Sequence, residues 1–240
     1  MTSTAPQIGF DRFIQLDWAA MALKVRAGLA DINELNELLD AAGLGVAARK
    51  KTRTVLNRLW LDPRPELADF SNRGAAIHCA CPEVSIAALS WGMSIATYPF
   101  FGKVAELVGR LSALQGYCTS AEVHRRMSEI YGEREGTYRM TNMVLQSQAD
   151  WGAIERVEKG KRLIRKASIS LTNERAVAWL MEAALRNSGK AVSLATLQSM
   201  PVIYPFVLDQ PLAYVASKSP LLEVRSEGPS HQFVALRSTF

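Results

Sequence analysis

Apolar residues recur at helical spacing through the first part of the chain. One stripe, repeating every three to four residues, consists of Phe13, Leu16, Ala20, Leu23 and Ala27. Asp31 is a typical N-cap for a second helix over 32–42, and Gly43 provides its stop. A third helix is predicted over 46–60, before Pro63. No strand-like alternation interrupts this pattern, so we predict a helical N-terminal unit over 1–98.

A break rich in Pro, Asn and Gly is predicted over 62–83, before an uncharged apolar stretch over 84–101. That stretch is close to the length that a helix needs to cross a bilayer. Its serines, together with Gly92, Thr97 and Pro99, lower its mean hydropathy below that of a typical membrane span. A helix buried in the protein core and ending before Pro99 is therefore favoured over a membrane span.

From residue 100 onward the chain predicts three helices in close succession. The first, over 100–114, has one apolar face and is stopped by Gly116. The second begins at Thr119 or Ser120 followed by Glu122, which is typical of an N-cap, and it ends at the next glycine.

The third helix is predicted over 137–152, after a short turn over 133–136. Its core-facing residues are Met140, Val144 and Leu145. Its other face shows polar side chains, namely Tyr138, Arg139, Thr141, Asn142, Gln146 and Gln148. Trp151, where this helix meets the next segment, is predicted to lie in the core.

An alternating segment follows and predicts a β-hairpin with a basic tip. Ile154 and Val157 precede a turn over 158–161, and the alternate positions beyond it are Leu163, Arg165, Ala167 and Ile169. Six cations fall within eleven residues, opposed only by Glu158, and they are Arg156, Lys159, Lys161, Arg162, Arg165 and Lys166. Such a cluster suits contact with phosphates.

Three helices followed by a hairpin resemble the winged helix-turn-helix superfamily over residues 99–171. The resemblance rests on element order and apolar spacing, since no invariant motif is involved. It implies that the third helix enters the major groove of double-stranded DNA. It also implies that the hairpin, or wing, touches the adjacent backbone or minor groove.

The residue types on the third helix agree with that implication. Arg139, Asn142 and Gln146 stand three and four residues apart, so they share one helix face, and their side chains can read base edges. The full set of predicted DNA contacts is Arg125, Arg126, Arg134, Tyr138, Arg139, Asn142, Gln146, Arg156, Lys159, Lys161, Arg162, Arg165 and Lys166. The alternative is a solvated hairpin beside an ordinary polar helix face.

A fainter second copy of the pattern is predicted over 172–240. It comprises an amphipathic helix over 173–189, short helices over 194–200 and 209–218, and a terminal hairpin turning at 227–230. Because this copy carries fewer cations, packing or dimerisation is its favoured role. The fold class predicted for the chain is therefore mainly α with small β-hairpin wings, with a helical N-terminal unit, a winged helix-turn-helix and a second, degenerate winged helix.

Charge and cysteine content add little to this picture. The formal net charge is +5, which permits an anionic partner without demanding one. Three cysteines without disulfide-like spacing, and an N-terminus without the regions of a signal peptide, predict a cytoplasmic protein. The basic run over 49–53 is equally consistent with a second phosphate contact and with the solvated side of a helix.

No catalytic, cofactor or metal site is predicted. His78, Cys79 and Cys81 stand too close together for the usual structural zinc spacing, and free core cysteines explain them better. His124, beside two arginines, is predicted to face solvent or DNA. No nucleophile elbow, phosphate-cradling glycine loop or dinucleotide fingerprint is present in the sequence, so we expect a protein that is not an enzyme.

Double-stranded DNA binding is the function that these patterns favour. We expect a bacterial-type regulator, or the DNA-engaging subunit of a larger system such as phage defence. The alternative is a scaffold whose winged folds hold protein partners without touching DNA. The expected partners are duplex DNA, other protein subunits or a second copy of the chain, and no membrane.

Overall fold

The computed structural model describes residues 9–226 and 232–237. Within them the chain is mainly helical, with three small sheets, two of them antiparallel. The coarse fold class predicted from the sequence, mainly α with small β elements, is confirmed.

The N-terminal segment folds into the predicted succession of helices. They are α1 (Leu16–Arg26), α2 (Ile32–Ala41) and α3 (Val46–Leu56), the last continued by a π-helical turn, Asn57–Leu61. Asp31 caps α2 in a reciprocal capping box with Glu34, which confirms the predicted N-cap. Because the cap fixes where α2 begins, it also sets the path of the chain between α1 and α2.

A fourth helix, α4 (Ala68–Ala80), lies where the sequence predicted a break. The break was predicted partly because of Gly74, since glycine is common in loops. In the structure Gly74 is buried, and a Cβ there would approach the Trp179 ring to 2.9 Å. A residue that usually weakens a helix is needed here because an indole packs against the helix backbone.

The uncharged stretch after α4 forms a core helix, as predicted. Helix α5 (Ile86–Thr97) is buried along nearly its whole length, and α6 (Pro99–Leu111) follows after a sharp bend. Across the described residues, none of the helices has both the length and the apolar character required to cross a membrane.

Five α-helices and β-strands lie between α6 and the end of the hairpin, and one of them was not predicted. They are β1 (Tyr117–Thr119), α7 (Ser120–Tyr131), α8 (Glu135–Asp150), β2 (Ile154–Val157) and β3 (Arg162–Arg165). The unpredicted strand β1 pairs antiparallel with β3, giving a sheet in the order β1-β3-β2. Thr119 caps α7 in a capping box with Glu122, which confirms one of the two predicted caps.

The hairpin is shorter than its alternating pattern predicted. Strand β3 ends at Arg165, and Ile169 belongs to a separate strand, β4 (Ile169–Leu171). This strand pairs in parallel with β6 (Phe206–Leu208), and the Ile169 amide donates to the Pro205 carbonyl at 2.8 Å. Pairing with a distant segment therefore ends the hairpin, which a local pattern does not reveal.

The C-terminal segment repeats a similar order of elements. Beside β6, it contains α9 (Glu174–Ser188), β5 (Val192–Ser193), α10 (Leu194–Gln198), α11 (Leu212–Lys218), β7 (Leu222–Ser226) and β8 (Gln232–Leu236). The last sheet has the order β5-β8-β7, with β8 in the centre. The turn predicted at 227–230 lies outside the described residues.

One hydrophobic core runs through all three segments. Three buried indole N–H groups each donate to a backbone carbonyl far away in the sequence. The donors and acceptors are Trp91 to Val202, Trp151 to Ile14, and Trp179 to Phe70, each at 2.9 Å. The predicted burial of Trp151 is confirmed, since it is 3% exposed. The core therefore links the three predicted ranges closely.

Candidate nucleic-acid interface

The tip of the β2–β3 hairpin presents two exposed lysines, Lys159 and Lys161. Glu158 and Lys159 both adopt left-handed backbone conformations, with φ of 52° and 58°. Gly160 follows with a φ of 83°, and a Cβ there would lie 2.7 Å from the Arg156 guanidinium. This tight turn keeps the two lysine side chains at the extremity of the hairpin.

Arg156 and Asn142, both predicted as DNA contacts, are bonded to each other. The guanidinium donates to the Asn142 Oδ1 at 2.7 Å, which joins the hairpin to α8. Both residues are half-buried, and burial lowers the pKa of Arg156. Asn142 is predicted to read base edges, and the paired contact that an asparagine makes to adenine uses that same acceptor oxygen. Asn142 could make that contact only after the bond to Arg156 opens.

Helix α8 is open to solvent mainly over its N-terminal half. Tyr138 and Arg139 are exposed there, whereas Gln146 is half-buried. The far end of the helix is covered by the chain before α1, since the Ile14 amide donates to Ser147 Oγ at 2.8 Å. The first turns of α8 are therefore the part most accessible to an incoming ligand, and in the last turns Ser147 and Gln148 are buried.

Arg162 and Arg165 contact an aromatic ring and a backbone carbonyl within the protein. The Arg162 guanidinium lies 3.9 Å from the Tyr117 ring centroid and 3.8 Å from Glu158. Arg165 donates to the Tyr204 carbonyl at 2.9 Å and thereby ties the hairpin to the C-terminal segment. Lys166, by contrast, is exposed. The predicted cluster of six cations is thus divided between free lysines and arginines that shape the hairpin.

The arginines of α7 and of the following turn lie on the surface. Arg125 and Arg126 approach Glu129 to 3.8 and 3.2 Å, and Arg134 donates to the Tyr131 carbonyl at 3.1 Å. Exposed ion pairs contribute little, so Arg125 and Arg126 are easily released to another anion.

His124 is buried rather than facing solvent or DNA, which corrects the prediction from sequence. It is 8% exposed and stacks against Tyr138, with ring centroids 4.0 Å apart and planes inclined by 20°. Burial, and next the charge of Arg156, lower the pKa of His124 to about 4. Because the two rings come from different helices, no local sequence pattern indicates this stack.

The structure does not assemble the cysteine and histidine residues into a metal site. Cys81 and Cys118 are buried, but Cys79 is exposed, so free core cysteines describe only two of the three. Among the residues that the structure describes, no group of three potential ligands is close enough to hold a metal ion. Burial, followed by the charge of Glu122, raises the pKa of the Cys118 thiol to about 12.

The residues brought together around α7, α8 and the hairpin are therefore exposed lysines, one exposed arginine on α8, and an aromatic stack. Searches against family models, curated proteins and solved structures returned no match to this chain.

Proposed function

We propose that residues 99–171 form a winged helix-turn-helix that binds double-stranded DNA. The observation that carries this proposal is the order helix, strand, helix, helix, hairpin, with the short strand β1 paired to the far strand of the hairpin. In helix-turn-helix proteins the last helix of such a series lies in the major groove. The role that fits is a regulator, or the DNA-engaging subunit of a larger bacterial assembly such as a phage-defence system.

The contacts in this proposal follow from which cations are free. Lys159, Lys161 and Lys166 bind phosphates, and Arg139 reaches base edges from the open half of α8. The three arginines of the hairpin hold its shape, since each has a partner within the protein. The proposal gives the chain no catalytic step, cofactor or metal.

The test is duplex binding measured by fluorescence anisotropy across a salt series. Replacing Lys159 and Lys161 together by alanine should weaken binding to any duplex sequence. It should also flatten the slope of log Kd against log salt by up to about two phosphate equivalents. Folding should survive because both side chains are exposed at a turn.

The matched control removes the same charge elsewhere. Lys24 and Lys190 are also exposed but lie outside the proposed interface, on α1 and after α9. Their double alanine variant should keep the slope of the unmodified protein. Equal slopes in both double variants and the unmodified protein would exclude the hairpin tip from a DNA interface.

A protein-binding scaffold is the second candidate, and the C-terminal segment favours it. There Val207 and Tyr214 are 48% and 44% exposed, and the described residues after 171 carry five exposed cations, against eight in residues 99–171. A folded protein that fails to bind duplex DNA even at low salt would favour this candidate. Light scattering would then show whether a second copy of the chain is the partner.

A further inference from the structure

An open groove of about 610 Å³ separates the hairpin tip from α7 and the start of α8. Its volume lies within the range of known small-molecule sites. Three aromatic rings line it, those of Tyr117, His124 and Tyr138, and Lys161 and Arg162 stand on the hairpin side. Aromatic faces next to cations are the chemistry with which proteins hold unpaired nucleotides.

Tyr138 is the ring best placed to accept a base. His124 covers one face of it, and yet Tyr138 is still 61% exposed. The His124 ring is itself buried, so the surrounding protein holds it in place against Tyr138. Because the pKa of His124 is low, its imidazole is neutral at pH 7, and the stack presents an uncharged platform.

The charges on the two sides of this platform differ. A second groove on the other side also contains His124 and Tyr138, but Glu129 and Glu133 line it together with Arg125. On the hairpin side there are two cations, Lys161 and Arg162, and one carboxylate, Glu158. Glu158 already lies 3.8 Å from Arg162. A polyanion is therefore favoured on the hairpin side and disfavoured on the other.

The geometry points to a binding site for an unpaired base of DNA, stacked on the open face of Tyr138 with its phosphate against Lys161. This inference rests on the proposed duplex binding and adds a preference to it. The preferred substrate is a duplex with a single-stranded tail or an extruded base rather than a continuous duplex.

The test compares a blunt duplex with the same duplex carrying a thymidine tail on its 3′ or 5′ end. For the unmodified protein we expect a tail to lower Kd by about 5- to 150-fold, the range of one base–aromatic stack. Tyr138→Leu should bring the ratio of the two Kd values close to one. Tyr138→Phe keeps the ring and should keep the ratio, and circular dichroism melts verify that both variants fold.

A second measurement detects the contact between the unpaired base and Tyr138 directly. A tail containing 5-iodouracil should photocrosslink to Tyr138, as peptide mapping would show, because the halogenated base reacts with a ring stacked upon it. Equal binding of blunt and tailed duplexes by the unmodified protein, or a tail preference that survives in Tyr138→Leu, would overturn the inference.

The outcomes also separate the inference from the proposed function. Binding of the blunt duplex without any tail preference leaves the proposed function and removes the stacking site. Binding of tailed DNA alone leaves the stacking site and removes duplex recognition. A folded protein that binds neither probe overturns both.

Discussion

His124 is a histidine that the fold keeps neutral. Its imidazole lies under the Tyr138 ring, and burial together with the nearby Arg156 charge lowers its pKa to about 4, against an ordinary value of 6.5. Between these two pH values the His124 imidazole is protonated in the unfolded chain but stays neutral in the folded protein. The contribution of the neutral imidazole to the free energy of unfolding is therefore complete above pH 6.5, and it is lost as the pH falls toward 4.

We predict that this loss amounts to at most about 3 kcal/mol in the free energy of unfolding. The measurement is urea denaturation of the unmodified protein and of His124→Gln at pH values between 7 and 4. Carboxylates and the other histidines titrate in both proteins, so only the difference between the two curves reports His124. Curves that stay parallel over this interval would contradict a buried, neutral imidazole.

Among the elements, the β2–β3 hairpin depends on a glycine that no other residue can replace without strain. Gly160 has a φ of 83°, and a Cβ there would collide with the Arg156 guanidinium that donates to Asn142. We predict that Gly160→Ala lowers the free energy of unfolding by about 1 to 3 kcal/mol. It should also reduce hydrogen-exchange protection in the hairpin amides, because the bond to α8 must shift.

Gly136 offers the matched control for that substitution. It lies in the first turn of α8 without a positive φ, and a Cβ there meets no atom within 4 Å. Gly136→Ala should leave stability unchanged or raise it by up to about 1 kcal/mol, since alanine favours a helix. A loss in Gly136→Ala as large as in Gly160→Ala would show that backbone strain and the Arg156 contact are not the cause.

The elements that could be predicted from the sequence are those with local determinants. Asp31 and Thr119 mark the starts of α2 and α7 because a cap bonds within its own first turn. Strand β1 and helix α4 were missed because distant residues stabilise them. β1 consists of three residues paired with β3, and α4 carries a glycine that fits against Trp179.

The candidate site was predictable to the same extent. The residue types on α8 and the hairpin could be identified from spacing alone. Their partners could not, since Arg156 bonds a residue 14 positions away and Arg165 a carbonyl 39 positions away. Sequence therefore indicated where the cations are, and the structure indicates which of them are free.

At the scale of the whole molecule, α9 joins the C-terminal segment to the N-terminal one. Trp179 on α9 stacks on Phe70 of α4, with centroids 4.3 Å apart and planes 2° apart. A Cβ on Gly92 of α5 would approach the same indole to 2.3 Å, so α5 and α9 pack backbone to ring. Contacts of this closeness favour unfolding of the two segments as one cooperative unit.

An ion pair beside these rings provides the sharpest test of whether the two segments unfold as one unit. Glu182 on α9 has a side chain only 3% exposed, and it accepts two hydrogen bonds from Arg73 of α4, at 2.7 and 2.9 Å. Arg186 also donates to it. Asp69 bonds the same Arg73 at 2.8 Å, but its side chain is 76% exposed. One arginine thus has a buried and an exposed carboxylate partner in the same surroundings.

We predict that Glu182→Ala lowers the free energy of unfolding by about 1 to 3 kcal/mol, because it removes the charged acceptor that two partly buried arginines share. Asp69→Ala should cost at most about 1 kcal/mol, since exposed ion pairs contribute little. Urea denaturation followed by far-UV circular dichroism and by tryptophan fluorescence measures both effects.

If the pair joins the segments, the unfolding transitions seen by the two probes shift together in Glu182→Ala and remain coincident. Equal losses in the two variants, or a fluorescence transition that separates from the dichroism transition in the unmodified protein, would show that the segments are held together by other contacts.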